Sequence, residues 1–91
     1  MAAIINLSTY KFAPLEDLPA LKATLLDAAT TLRLKGTVLL AREGINVFVA
    51  GGPAEIETFL DLLRAIPRLE DLEPKRSGSA DQPFGRMRVS W

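Results

Sequence analysis

The chain has 91 residues, 48% of them apolar, with 11 basic and 11 acidic side chains and a formal charge of zero. That length suits one domain with one core, and the neutral balance lacks the broad positive field of an autonomous nucleic-acid binder. Cysteine and histidine are both absent, which excludes disulfides, thiolate metal sites, cysteine nucleophiles and the commonest general base, so catalysis by this chain alone would need carboxylates, Lys, Arg, Ser, Thr or Tyr.

Residues 4–12 alternate as a strand, with Ile5 and Leu7 toward one side and Asn6, Ser8 and Tyr10 toward the other. The following "APLEDLP" supplies helix-start chemistry: Asp17 suits a cap, and Pro19 is tolerated in a first turn. Over 18–34, Leu18, Leu21, Leu25, Ala28 and Leu32 recur at helical spacing, and Gly36 suits the helix stop. Residues 37–41 and 45–50 are β-rich runs separated by Arg42-Glu43-Gly44. A three-residue hairpin loop places its last residue in the left-handed region, where glycine is least strained.

Gly51-Gly52-Pro53 ends the second run and opens a helix over 53–65, with Pro53 where no amide donor is needed. Ile56, Phe59, Leu60 and Leu63 form its apolar stripe, and Pro67 closes it. Residues 72–77 suggest an edge or bulged strand, because Pro74 cannot donate to a ladder. "SGSADQP" reads as a loop. Residues 84–91 alternate Met87, Val89 and Trp91 with Arg86, Arg88 and Ser90, the pattern of a half-exposed strand.

The order is β-α-β-β-α-β: an α+β, ferredoxin-like (acylphosphatase-like) sandwich over 1–91, with two helices on one face of an antiparallel sheet and an additional C-terminal strand as an option. Ile5, Leu7, Ile45, Val47 and Val49 should face the helices. Asn6, Ser8, Tyr10, Asn46 and Phe48 should occupy the other face. No apolar run reaches membrane-spanning length, and "MAAIINLSTYKF" has no basic region ahead of its apolar stretch, so a cytoplasmic location is expected.

Two aromatics, Tyr10 and Phe48, therefore fall on the uncovered face, where RNA-recognition sheets carry the rings that stack bases. Arg42, Gly44, Phe48 and Val49 follow such a motif in order but not in spacing. The competing reading is coverage of this face by the final strand or a neighbouring domain, and coverage is the reading carried forward. Acidic residues prevail over 53–74, and Lys75, Arg76, Arg86 and Arg88 oppose only Asp81 beyond it. This is either a solvated helix followed by a mixed tail, or a basic edge for phosphate or an acidic partner. Gly51-Gly52 resembles a phosphate cradle only weakly, because Pro53 removes a donor. Glu43 has no neighbouring partner for a catalytic dyad. The Cys-x-x-Cys loop of metal-carrying ferredoxin-like domains is missing. The acylphosphatase anion loop needs an arginine, and "KFAPLEDLP" has none and carries two acids; no cofactor or metal is expected.

Four blocks carry a family likeness: "YKF" at 10–12, "LEDLPALK" at 15–22, "LKGTVLLAREGIN" at 34–46 and "QPFGRMRV" at 82–89. In order and spacing they resemble the N-terminal domain of the rhodanese-like tRNA uridine(34) hydroxylases, formerly described as uncharacterised rhodanese-related proteins. One departure stands out: the family commonly continues Glu-Gly-Ile-Asn with Gly-Thr, and this chain has Val47-Phe48.

The resemblance implies an oxidoreductase of tRNA modification that converts wobble uridine to 5-hydroxyuridine with molecular oxygen. Its essential cysteine lies in a following rhodanese domain. This chain is then the amino-terminal piece of a longer enzyme and does not hydroxylate alone. Its partners by resemblance are tRNA and that rhodanese domain, and the isolated domain is expected to be a monomer. The domain is expected to help hold tRNA or to shape the active-site cleft against the rhodanese domain, with Lys11, Arg42, Glu43, Asn46, Lys75, Arg76, Arg86 and Arg88 as the candidate RNA or interdomain contacts, beside Tyr10 and Phe48. The alternative is a protein-interaction or small-molecule-sensing module that never touches RNA.

Overall fold

A computed structural model describes residues 3–91, so the first two residues of the amino-terminal stretch read above lie outside the described residues. The elements are β1 (Ile4–Phe12), α1 (Leu18–Thr31), β2 (Lys35–Ala41), β3 (Gly44–Gly51), α2 (Pro53–Arg64), β4 (Lys75–Ser79) and β5 (Met87–Ser90). They form one sheet of order β4-β1-β3-β2-β5. The first four strands are antiparallel neighbours, the ferredoxin-like set. The additional strand β5 lies outside β2 and runs parallel to it.

One face of the sheet packs beneath both helices. Leu7, Val38, Leu40, Ile45, Val47, Val49 and Val89 are buried there against Leu25 and Ala29 of α1 and Ile56, Phe59 and Leu63 of α2. Each fully buried Leu, Ile or Phe contributes about 1.5–3 kcal/mol of transfer free energy. The stripe on α2 is the one its spacing indicates. Beyond α2, Leu69 and Leu72 are also buried. Arg64 holds that segment in place by donating from Nε (3.3 Å) and Nη2 (2.7 Å) to the Leu72 carbonyl. The chain is therefore committed to the core until Leu72, and β4 begins only at Lys75, three residues later than the pattern suggested.

Three local expectations are corrected. Helix α1 stops at Thr31, and not through Gly36. Arg33 adopts φ 58°, with the Leu34 amide bonded to the Ala29 carbonyl and the Arg33 amide to the Thr30 carbonyl, each within 3.0 Å. That bond pair is a Schellman stop, normally built on glycine. Gly36 lies inside β2 at φ 137°, and a Cβ there would meet the Phe48 carbonyl at 2.0 Å. The β2–β3 loop is two residues, Arg42-Glu43, because Ala41 pairs with Gly44. Gly44 lacks a Cβ because one would lie 2.2 Å from the Lys11 carbonyl of the neighbouring strand, and not because of a left-handed backbone. Asp17 occupies the α1 N-cap at φ 53°, but its side chain makes no capping bond; its carbonyl accepts from Leu21 instead.

Candidate functional site

Strand register fixes what the open face displays. Directly paired residues share a face, so the central row reads Lys75, Ser8, Phe48, Thr37, Arg88 across all five strands. The next row toward the hairpin reads Tyr10, Asn46, Leu39, Ser90, and Phe12 lies beyond Tyr10 opposite Gly44. Tyr10 is 70% exposed, Phe12 81%, Leu39 47% and Phe48 46%. The Tyr10 and Phe12 rings meet edge-to-face, centroids 6.0 Å apart.

The final strand does not cover this face; it widens the sheet. Because β4 and β5 lie at opposite edges, the chain between them has to cross. It does so at the end where β1 starts, with Gln82 Nε2 donating to the Ala50 carbonyl at 2.8 Å. Pro83 and Phe84 then border a depression of about 300 Å3 together with Asn6, Ser8, Phe48 and Lys75. A second depression, about 220 Å3, lies at the hairpin end between Tyr10, Phe12, Leu39, Glu43 and Asn46. The half of the face carrying Tyr10 and Phe12 stays open among the described residues.

The basic candidates divide between the faces. Lys75 and Arg88 stand on the open face and enter no salt bridge among the described residues. Arg42 and Glu43 form the exposed hairpin tip, and Arg86 lies just before β5 with its carbonyl accepting from Gly36. Lys11 and Arg76 point to the helix side and are already paired. Lys11 Nζ donates to Asp71 Oδ1 at 2.6 Å. Arg76 makes a two-pronged contact with Glu57, 2.9 Å on each prong. The hydrogen bond from Arg76 holds the Glu57 carboxyl below its ordinary range, and the bond from Lys11 does the same for Asp71. The structure therefore does not bring all eight polar candidates together. Phe12 and Leu39 were missed on the open face, although Phe12 shares the parity of Tyr10 in the strand.

The loop after β1 is occupied structurally. The Ala13 and Leu15 amides donate to the Glu43 and Arg42 carbonyls at 2.9 Å each, and Pro14 between them has no amide. The loop thus pins the hairpin tip to β1, and those donors are turned away from any anion. At the far side, Lys22 of α1 sits over the Trp91 ring at 5.1 Å. Among the described residues no cluster of three acidic, His or Cys side chains is placed to hold a metal ion, and no helix is long and apolar enough to cross a membrane.

A family model for the UPF0176 acylphosphatase like domain matches residues 4–91. The chain is 54% identical over 89 residues to the tRNA uridine(34) hydroxylase of Bordetella petrii, covering 98% of this chain and 35% of that protein. It is 56% identical over 87 residues to the protein of the same name from Thiobacillus denitrificans, covering 96% and 35%. The chain thus spans about a third of the length of these curated relatives. Among solved structures, the BLUF protein BlrB superposes with a TM-score of 0.73 at 16% identity, covering 99% of this chain and 74% of that one. An acylphosphatase from Coxiella burnetii gives 0.61 at 14% identity, covering 96% and 90%. At such identities these two likenesses concern the fold alone.

Proposed function

The chain belongs to the UPF0176 acylphosphatase-like domain family, and on that premise we propose that it is the amino-terminal accessory domain of a cytoplasmic tRNA-modifying oxidoreductase. The reaction is the oxygen-dependent 5-hydroxylation of wobble uridine, and a rhodanese domain of the same protein carries the chemistry. The observation that supports this reading is identity above 50% to tRNA uridine(34) hydroxylases over almost the whole chain. The role of the domain is to hold tRNA beside the reacting centre. Its own groups suit binding: Lys75, Arg88, Arg86 and Arg42 offer cations to phosphate, and such contacts weaken as salt rises. A sensing role rests on architecture alone, which does not specify function.

Nucleoside analysis of tRNA from a strain lacking the gene that encodes this chain tests the reaction. The expected result is loss of 5-hydroxyuridine and its derivatives from the wobble position; an unchanged nucleoside profile overturns the assignment. Titrating the 91-residue chain with unfractionated tRNA at low salt tests the accessory role. Amides near Lys75, Arg88 and the hairpin tip should shift, and silence at all of them removes direct tRNA contact from this domain.

A further inference from the structure

We infer that the open sheet face binds unpaired nucleotides, stacking bases on Tyr10 and Phe48 and meeting their phosphates with Lys75 and Arg88. This rests on the tRNA reading above and specifies which form of RNA the domain takes.

The first support is the position of the rings. Tyr10 and Phe48 are on adjacent strands, one diagonal step apart, because Ser8 opposes Phe48 and Tyr10 opposes Asn46. Diagonal neighbours lie about 7–8 Å apart, a separation that bases splayed from an extended strand can follow. Neither ring is needed by the core, which lies on the other face. Each borders one of the two shallow depressions, and each depression also holds an asparagine: Asn46 beside Tyr10, Asn6 beside Phe48. Of the two, Asn46 is exposed; Asn6 Nδ2 donates to Ser77 Oγ and Ser79 Oγ at 3.4 Å each, and its Oδ1 is buried. At the hairpin end a ring and an exposed carboxamide, Tyr10 and Asn46, share one hollow, the pairing that unstacked bases require: a flat apolar surface, and a donor or acceptor for the base edge.

Charge supplies the second support. The five strands hold five basic residues and no acidic one, although the chain as a whole is neutral. The helix-side pair, Lys11 and Arg76, is neutralised by Asp71 and Glu57. Of the three left, Lys35 lies one row away, opposite Ala50, and Lys75 and Arg88 stand at opposite ends of the Phe48 row, four strand spacings or about 19 Å apart. A strand laid across the sheet would meet a cation at each edge and rings between them. Glu43, at the hairpin rim, is the carboxylate bordering the upper hollow and can accept from a base N–H. A duplex keeps its base faces stacked internally and has nothing to offer the rings.

The test is fluorescence anisotropy of the 91-residue chain with a short labelled single-stranded RNA of mixed sequence, with the same strand annealed into a blunt duplex, and with whole tRNA. The single strand should bind more tightly than the duplex. Tyr10→Ala and Phe48→Ala should each weaken it by roughly 5- to 150-fold. Tyr10→Phe should restore the affinity, and Phe48→Leu, which keeps the bulk, should not. Lys75→Ala and Arg88→Ala should each flatten the log–log salt slope by about 0.7 between about 50 and about 200 mM. Equal affinity for duplex and single strand overturns the inference, as do ring variants that bind like wild type, even if whole tRNA still binds and the accessory reading stands. If tRNA also fails to bind, that reading fails with it. Protection of Tyr10 and Phe48 by the remainder of the full-length protein, with no RNA response, would assign the face to a protein contact and overturn the inference as well.

Discussion

The two faces of the sheet are built from the same strands and differ by one residue of phase. On the helix side, Leu7, Val47 and Val49 are sealed beneath α1 and α2, and both cations of that side are held by carboxylates. On the other side, Tyr10, Phe12 and Phe48 reach solvent beside Lys35, Lys75 and Arg88, which enter no salt bridge among the described residues. An apolar side chain therefore has a different meaning on each face. Under the helices it supplies stability, and on the open face it is available for contact. Stability and binding should accordingly separate by residue parity within a single strand.

The sharpest way to break that distinction is a pair of truncations followed by urea denaturation. Phe59→Ala, beneath the helices, should cost about 3–5 kcal/mol through lost burial and a cavity. In a domain of this size that is a large share of total stability. Phe48→Ala should cost about 1 kcal/mol or less, because the ring is already half in water. Comparable losses would mean that the open face belongs to the core. Gly44→Ala comes next: its new Cβ would lie 2.2 Å from the Lys11 carbonyl. The resulting backbone shift should lower stability by roughly 1–3 kcal/mol, read as a fall in melting temperature.

A gain is expected from Arg33→Gly. It relieves a left-handed residue at φ 58°, and should raise stability by roughly 0.5–1 kcal/mol in the same denaturation assay. The smallest effect concerns acid. Glu57 and Asp71 have lowered folded pKa values, so their pairs stabilise fully above the ordinary carboxylate range. The contribution disappears as pH falls through the lowered values. Glu57→Gln and Asp71→Asn should therefore flatten the acid limb of a stability–pH curve slightly and leave the neutral limb's shape alone. A steeper acid limb in either variant would contradict the pairing.

The order of elements was legible because period-2 and period-3.6 patterns change at Gly and Pro, as at Gly51-Gly52-Pro53. The faces were legible from parity in β1 and β3, which placed Tyr10 and Phe48 correctly. What escaped was non-local. Gly44 looks like a turn glycine until β1 is seen lying against it. Lys11 and Arg76 look free until Asp71 and Glu57, 60 and 19 residues away, come within 2.6 and 2.9 Å. Arg33 in the left-handed region has no sequence signature, so Gly36 drew the helix stop to itself. Coverage of the open face could not be read either, because it depends on the path from Ser79 to Met87, and no periodicity encodes a crossover.

That crossover has a further effect on how the molecule meets others. By carrying β5 to the outside of β2, it ends the sheet on both sides in brief strands, five residues in β4 and four in β5. One edge carries Lys75, outside any salt bridge among the described residues, and the other Arg88. Short edges bearing positive charge give an incoming strand few ladder positions and repel an identical edge. The sheet edges are therefore a poor template for strand addition by a second copy.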